Sequence, residues 1–353
     1  MPHGRLITKL KGYGIGGKLL AWIQDFLNNR TQFVTIKDTH SDEIPVTSGV
    51  PQGSVLGPTL FIYYINDMPT EVECGVKIFA DDTKLYSTVT SYDDRDMLQT
   101  CIDRLVQWTN TWLLQFNEQK CKVLHLGKNN PGYDYFIKKG DDSYCLETTT
   151  AVKDLGVIVD PLLNFDTHIN STIKKANRIA GLLVHTITNK TKEIMVPLFK
   201  ALVRPILEYG NSVWSPYLKK HTESIEAVQR RFTKRIVGNH DLTYEQRLEK
   251  LNLPSLEFRR RRGDLIEVYK IVHKLYDPIT TKSLFTFSDV EITRGHNLKL
   301  AKKLTKSRPA QNFFTNRIIT IWNNLPATVV NAKTTNSFKN QLDKYYKQQL
   351  YQY

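Results

Sequence analysis

Two adjacent carboxylates, Asp81 and Asp82, stand in the middle of VKIFADDTKLY (Val76–Tyr86), between segments that otherwise read as buried β-strand around a hairpin turn. An unpaired carboxylate is costly to bury. Acids in such a place either project into solvent at a turn, where Asp is favoured, or face a partner that needs them. A hard divalent cation is such a partner, because Mg2+ takes carboxylate oxygens together with substrate phosphates. The pair alone does not separate a solvated turn from a metal site.

Neighbouring stretches add chemistry. TSGVPQGSVLGP (Thr47–Pro58) punctuates a loop with three glycines and two prolines before the apolar TLFIYYIND. Glycine there lets backbone approach a ligand closely. Downstream, Asn117 and Lys120 precede a predicted strand at Lys122–Leu126, and a strand at Leu155–Val159 leads into Asp160. Each of these, taken singly, reads as an ordinary turn or strand end.

The elements that must hold these residues follow from periodicity. Leu19, Leu20, Ile23, Phe26 and Leu27 predict a helix over Gly16–Asn29, and TQFVTI followed by DEIPVT predicts a hairpin around Asp38–Ser41. Leu98, Ile102, Leu105, Trp108 and Trp112 predict one amphipathic helix between Ser91 and Leu114. From Asp166 helical spacing takes over, with Ile173, Ala176, Ala180 and Leu183 on one face and Lys174, Lys175 and Arg178 elsewhere. Further helices are predicted over Lys192–Tyr209, kinked near Pro205, and over Glu223–Val237 and Leu256–Leu275. Ile279–Pro309 reads as a basic loop before a last helical piece, FFTNRIITIWNNLP. Trp214 and Trp322 read as core residues.

The 353 residues carry 49 Lys and Arg against 35 Asp and Glu, a net charge of +14, which favours a polyanionic partner. Arg230, Arg231, Lys234 and Arg235 lie away from the Ile225, Val228, Phe232 and Ile236 stripe and suit a nucleic-acid backbone. The run Arg259–Arg262 spans every side of a helical turn, so at least one of its members is expected to be solvated or salt-bridged. Cys74, Cys101, Cys121 and Cys145 show neither C-x-x-C nor zinc-finger spacing, so neither zinc nor disulfides are expected. No run is long enough to cross a bilayer and no signal peptide is seen. The expected location is intracellular, nuclear or cytoplasmic, without membrane.

The ordered set GVPQGSVLGP, FADD, NEQKCKVLHLG and DLGV resembles the palm of reverse transcriptases from non-LTR retrotransposons, LINE elements of the jockey-like kind. LEYGNSVWSPY, IEAVQRRFTKRIVG, YEQRLEKLNLPSLEFRRRRGDLIEVYKIVH and FFTNRIITIWNNLPATVVNA resemble the thumb and C-terminal part of the same polyproteins. The resemblance implies an α+β chain, with a partial palm of antiparallel sheet and helices over residues 1–165, a helical thumb over 166–278 and a basic linker with helices over 279–353. It implies an RNA-directed DNA polymerase, with Asp81 and Asp82 as ligands of a catalytic Mg2+ pair and Phe79 packed beneath them. Gln52, Gly53 and Phe79 would lie at the nucleotide and template, Lys120 at the nucleotide phosphates, and Asp154–Val157 at the primer end. An RNA template and a DNA primer would be the partners.

Members of that family carry a third palm aspartate upstream, on a strand of the form apolar-Asp-x-x-Lys-Ala-Phe-Asp followed by Pro-His. Here MPHGRLITKL opens at the Pro-His, and no such pattern recurs downstream. Asp25, Asp38 and Asp42 sit on a predicted helix or hairpin turn. The expectation is therefore the C-terminal portion of a retrotransposon reading frame, without fingers or endonuclease and inactive as a polymerase. The alternatives are a non-catalytic nucleic-acid-binding protein on the same palm and thumb, or a protein-interaction scaffold for which the charge is incidental.

Overall fold

Apolar stripes at helical spacing build the first of two units, Met1–Thr150, around α1 (His3–Gly12), α2 (Gly17–Leu27), α3 (Leu56–Ile65) and α4 (Tyr92–Trp112). The computed structural model describes residues 1–238, 240–288 and 295–352. Leu6, Leu10, Ile23, Leu60, Tyr64 and Leu105 meet in a shared core. Helix α4 begins at Ser91, whose hydroxyl accepts from the Asp94 amide. Hydrogen bonds from Thr90 and Ser91 to the Asp94 carboxylate hold its pKa at about 2. Lys9 is buried in this core. Its ammonium donates to the Tyr64 carbonyl at 2.6 Å and to Asp67, and lies 4.0 Å and 4.4 Å from the ring centres of Trp112 and Trp108. Burial pulls the lysine's pKa down and Asp67 opposes this, so one cation ties α1 to the end of α3 and to α4.

The strands of this unit form two-stranded ladders. An exposed arm pairs β1 (Thr31–Gln32) with β4 (Ile44–Pro45) and, further out, β2 (Thr35–Ile36) with β3 (Thr39–His40). Next come β5 (Gly75–Phe79) with β6 (Asp82–Tyr86), and β8 (Phe136–Lys139) with β9 (Asp142–Cys145), both antiparallel. The strand expected over Lys122–Leu126 shortens to β7 (Lys122–Val123), parallel to β10 (Glu147–Thr148). Among the described residues no third strand joins β5 and β6, so the expected antiparallel sheet is a set of separate ladders. In the arm all strand residues are exposed, Ile36 and Ile44 included, so neither ladder is covered by the core of the unit.

The second unit, Ala151–Tyr353, starts with a hairpin, β11 (Val152–Asp154) and β12 (Val157–Val159). Val157 is buried in the same core as Ile169 of α5 (Asp166–Thr186), so this hairpin belongs with the helices that follow it. The long helix expected over Lys192–Tyr209 divides into α6 (Lys192–Leu198), a π-helical turn at Phe199–Val203 and α7 (Arg204–Glu208). Pro205 has no N–H and crowds the carbonyl four residues back, inside that π turn. Then come α8 (Asn211–Trp214), α9 (Lys219–Lys234), α10 (Tyr244–Leu251) and α11 (Leu256–Val272). Helices α5 and α9 run in the same direction, since Asp166 meets His221 and, further along both, Asn177 meets Arg231.

Helix α11 is the hub. Its second half shares a core with Leu300, Phe314, Ile318, Trp322 and Phe338, so the C-terminal helices pack on it. Its arginine run radiates: Arg259 pairs with Glu208, Arg261 with Glu257 and Arg262 with Asp343, while Arg260 is buried. Residues 289–294 of the expected basic loop lie outside the described residues. Trp214 and Trp322 are core residues, donating to the carbonyls of Tyr209 and Leu298. The architecture is mixed α and β. No helix among the described residues is long and apolar enough to cross a membrane. All four cysteines are free, and burial beside Cys101 pushes the Cys74 thiol up to about 12.

Candidate functional site

The β5–β6 ladder pairs Phe79 with Asp82 and leaves Ala80 and Asp81 as a two-residue turn. Ala80 takes φ 51°, the left-handed value that a tight hairpin turn requires to match the twist of its strands. A side chain in that region costs about 1–2 kcal/mol relative to glycine. Ala80→Gly is therefore expected to slow hydrogen exchange of the β5–β6 amides, by about 1 kcal/mol of local opening free energy. Faster exchange would show that the alanine methyl is held by packing instead.

Strand alternation decides what lies under the acids. Ile78 and Leu85 pack on the core of the first unit, whereas Phe79 is 62% exposed. The expectation that Phe79 packs beneath the carboxylates is corrected: a period of two puts Ile78 on the core face and turns Phe79 away from it.

A cleft of ≈ 370 Å³ opens beside the turn, lined by Val50, Pro51, Gln52, Gly53, Phe61 and Asp81 among others. The fold thus brings Gln52 and Gly53 to Asp81. Gly53 needs its φ of 78° to turn the loop. Gly57 needs to lack a side chain, since a Cβ would sit 3.0 Å from the Pro51 carbonyl and from Ser54 Oγ. That hydroxyl donates to the Pro51 carbonyl and accepts from the Gly57 amide, locking the loop onto the start of α3. The loop is also tied to the chain's first residues, the Gly49 amide donating to Met1 and its carbonyl meeting His3 Nε2 at 2.9 Å. Val50, Pro51 and Phe61 as walls were not singled out from sequence, although the apolar residues flanking the glycines were a signal for them.

The remaining candidates fall elsewhere. Lys120 is exposed in the turn before β7 and does not line the cleft. Asp82, the first residue of β6, is exposed and does not line it either. Among the described residues no group of three His, Cys, Asp or Glu side chains could hold a metal ion. Asp81 and Asp82 supply hard oxygen donors suited to Mg2+, but two carboxylates alone do not make a group of three ligands among the described residues.

On α9, the basic set divides. Arg230 is half-buried with its guanidinium 5.0 Å from the ring centre of Tyr244, so it does not belong to an outward face as expected. The reason is tertiary: α10 covers that side of the helix. Arg231 is exposed and donates to Asn177 of α5 at 3.0 Å. Lys234 and Arg235 are exposed, as are Lys174 and Arg178 on the adjoining helix α5. The outward cations thus run across two packed helices.

Residues 1–159 match the family "Reverse transcriptase (RNA-dependent DNA polymerase)". The chain is similar to RNA-directed DNA polymerases of mobile elements. It is 28% identical over 231 residues to the RNA-directed DNA polymerase from mobile element jockey of Drosophila melanogaster, covering 61% of this chain and 25% of that protein. The counterpart in Drosophila funebris is 29% identical over 256 residues, 67% of this chain and 27% of that protein. A probable RNA-directed DNA polymerase from transposon X-element of Drosophila melanogaster is 26% identical over 227 residues, 61% and 24% respectively. The chain spans about a quarter of the length of these curated relatives.

Proposed function

We propose that this chain is a reverse-transcriptase fragment that binds a template–primer duplex, its first unit serving as a partial palm and its second as a thumb. The observation that carries the reading is the cleft joining Gln52 and Gly53 of the glycine loop to Asp81 of the hairpin turn. A nucleotide or template base can enter such a cleft against bare backbone at Gly53. Gln52 would offer an amide to sugar or base, and exposed Phe79 an aromatic face. Lys120, which does not line the cleft, would in this reading meet a phosphate outside it. RNA template and DNA primer are the partners in this reading, and Mg2+ is the cation that Asp81 and Asp82 would help to hold.

A second reading, a nucleic-acid-binding protein without polymerase activity, is favoured by the incomplete donor set around those two aspartates. Both readings require duplex binding through Arg231, Lys234 and Arg235. Replacing these three with Ala is expected to weaken affinity for an RNA–DNA duplex and lower the slope of log K against log salt by about 0.9 per lost phosphate contact. The loss is expected to be similar for unrelated sequences, because phosphate contacts position without specifying. Fluorescence anisotropy across a salt series measures both. An unchanged affinity and slope would remove the thumb assignment.

A further inference from the structure

A second cluster of positive charge lies where the π-helical turn Phe199–Val203, α7 and α11 meet. Arg259 makes a two-point pair with Glu208, and Arg204 Nε approaches the same carboxylate at 3.8 Å, so one acid serves two guanidinium groups. Arg262 is paired at two points with Asp343 of the C-terminal helix Thr335–Tyr345. Lys200 has no acidic partner among the described residues. Lys192, whose ammonium donates to the Lys250 carbonyl at 2.7 Å, adds a further cation from α6. Five cations thus face two carboxylates. The crowding is electrostatic as well as geometric: burial first, then the charges of Arg204, Arg259 and Lys192, lower the pKa of Lys200. Burial and then Arg259 likewise lower that of Arg204.

Like charges that are partly withdrawn from water and short of counter-charge repel one another, and an added anion relieves that repulsion. We infer that Lys200 and Arg204, buttressed by Arg259 and Arg262, form a second phosphodiester-binding surface that grips the backbone of a nucleic acid through elements other than α9. This rests on the reading of the chain as a nucleic-acid binder and extends it to a new set of residues. An extended polyanion suits the cluster better than a single small anion, because its cations are spread over separate helical elements. Arg259 and Arg262 act here as positioning residues: their carboxylates are already satisfied, and their role is to hold α7 and α11 together with the potential positive. The π turn contributes by placing Lys200 and Arg204 on one stretch of helix at a point where the regular ladder is interrupted.

The test uses the full chain and a labelled RNA–DNA duplex, with anisotropy read across a KCl series. Lys200→Gln with Arg204→Gln is expected to raise Kd about 30-fold near 0.15 M salt and to lower the salt slope by about 1.8, the value for two lost phosphate contacts. Lys200→Arg with Arg204→Lys keeps both charges and is expected to keep the slope, which a merely structural role for Arg204 would not predict. Lys200→Glu alone, at a side chain without an ion pair, covers the case in which losing Arg204 disturbs the fold; it is expected to weaken binding and flatten the slope too. If the unaltered chain binds and neither neutralised variant changes affinity or slope, this surface is refuted while the α9 surface stands. If the unaltered chain shows no salt-dependent binding, both fall together.

Discussion

Asp264→Ala lowers the unfolding free energy of the second unit by about 3–5 kcal/mol, the usual consequence of removing one member of a buried ion pair. Arg317 donates to both carboxylate oxygens, from Nε at 2.9 Å and Nη2 at 3.0 Å, and Asn211 donates at 3.2 Å. The Asp264 side chain is only 5% exposed and that of Arg317 17%. The same guanidinium also donates to the carbonyls of Asn211, Ser212 and Asn312. Without Asp264 a guanidinium that fastens α8 to α11 and to the C-terminal helices keeps its burial and loses its counter-charge. Hydrogen exchange of α11 amides reports the loss locally. A cost below about 1 kcal/mol would mean that water enters and solvates Arg317, leaving the pair a surface contact in effect.

Glu226→Leu is expected to cost a similar amount, for a different reason. Glu226 is fully buried on the apolar side of α9 and accepts from the Tyr244 hydroxyl and from the amides of Leu256 and Glu257. It thereby caps the start of α11, whose first amides have no partner within the helix. Leucine would leave three buried donors unanswered, about 1–3 kcal/mol for each that stays dry. Burial raises the carboxyl's pKa, against the hydrogen bonds and the charge of Arg260. A carboxyl whose folded pKa lies above its unfolded value contributes stability that is full below the unfolded pKa and is lost as pH rises through the folded one. The advantage of the native chain over Glu226→Gln, which cannot be protonated, should therefore be greater at pH 4.5 than at pH 7.5 in urea melts. An advantage that grows with pH would mean that the ionised form is the one the fold prefers.

Local chemistry was readable in the sequence where it is settled by neighbours along the chain. Leu98, Ile102, Leu105, Trp108 and Trp112 announced α4, and Ala176, Ala180 and Leu183 the buried stripe of α5. The hairpin at FADD was legible because strand signals flank the acids; Asp81 falls in its turn and Asp82 opens β6. What escaped was decided by distant packing. Phe79 sits in an apolar run that looks buried on both faces, and only the single covered side of β5–β6 shows that it is outside. Arg230 projects away from the stripe of its own helix, yet Tyr244 from another helix covers it. Glu226 carried a signal that could have been used: a carboxylate beside Ile225, two residues before Val228, on the apolar side of a helix demands a partner.

We propose that this chain presents nucleic acid to the cleft at Asp81 and that Asp81 and Asp82 alone do not complete the two-cation chemistry of polymerisation. Primer extension by the purified chain on an RNA template, with Mg2+ or Mn2+, tests it most directly, run beside duplex binding on the same preparation and beside Asp81→Ala. Salt-dependent binding without extension is expected, since Asp81 and Asp82 form no group of three His, Cys, Asp or Glu side chains with the described residues. Extension that disappears on Asp81→Ala would contradict it, and would mean that another carboxylate reaches the cleft.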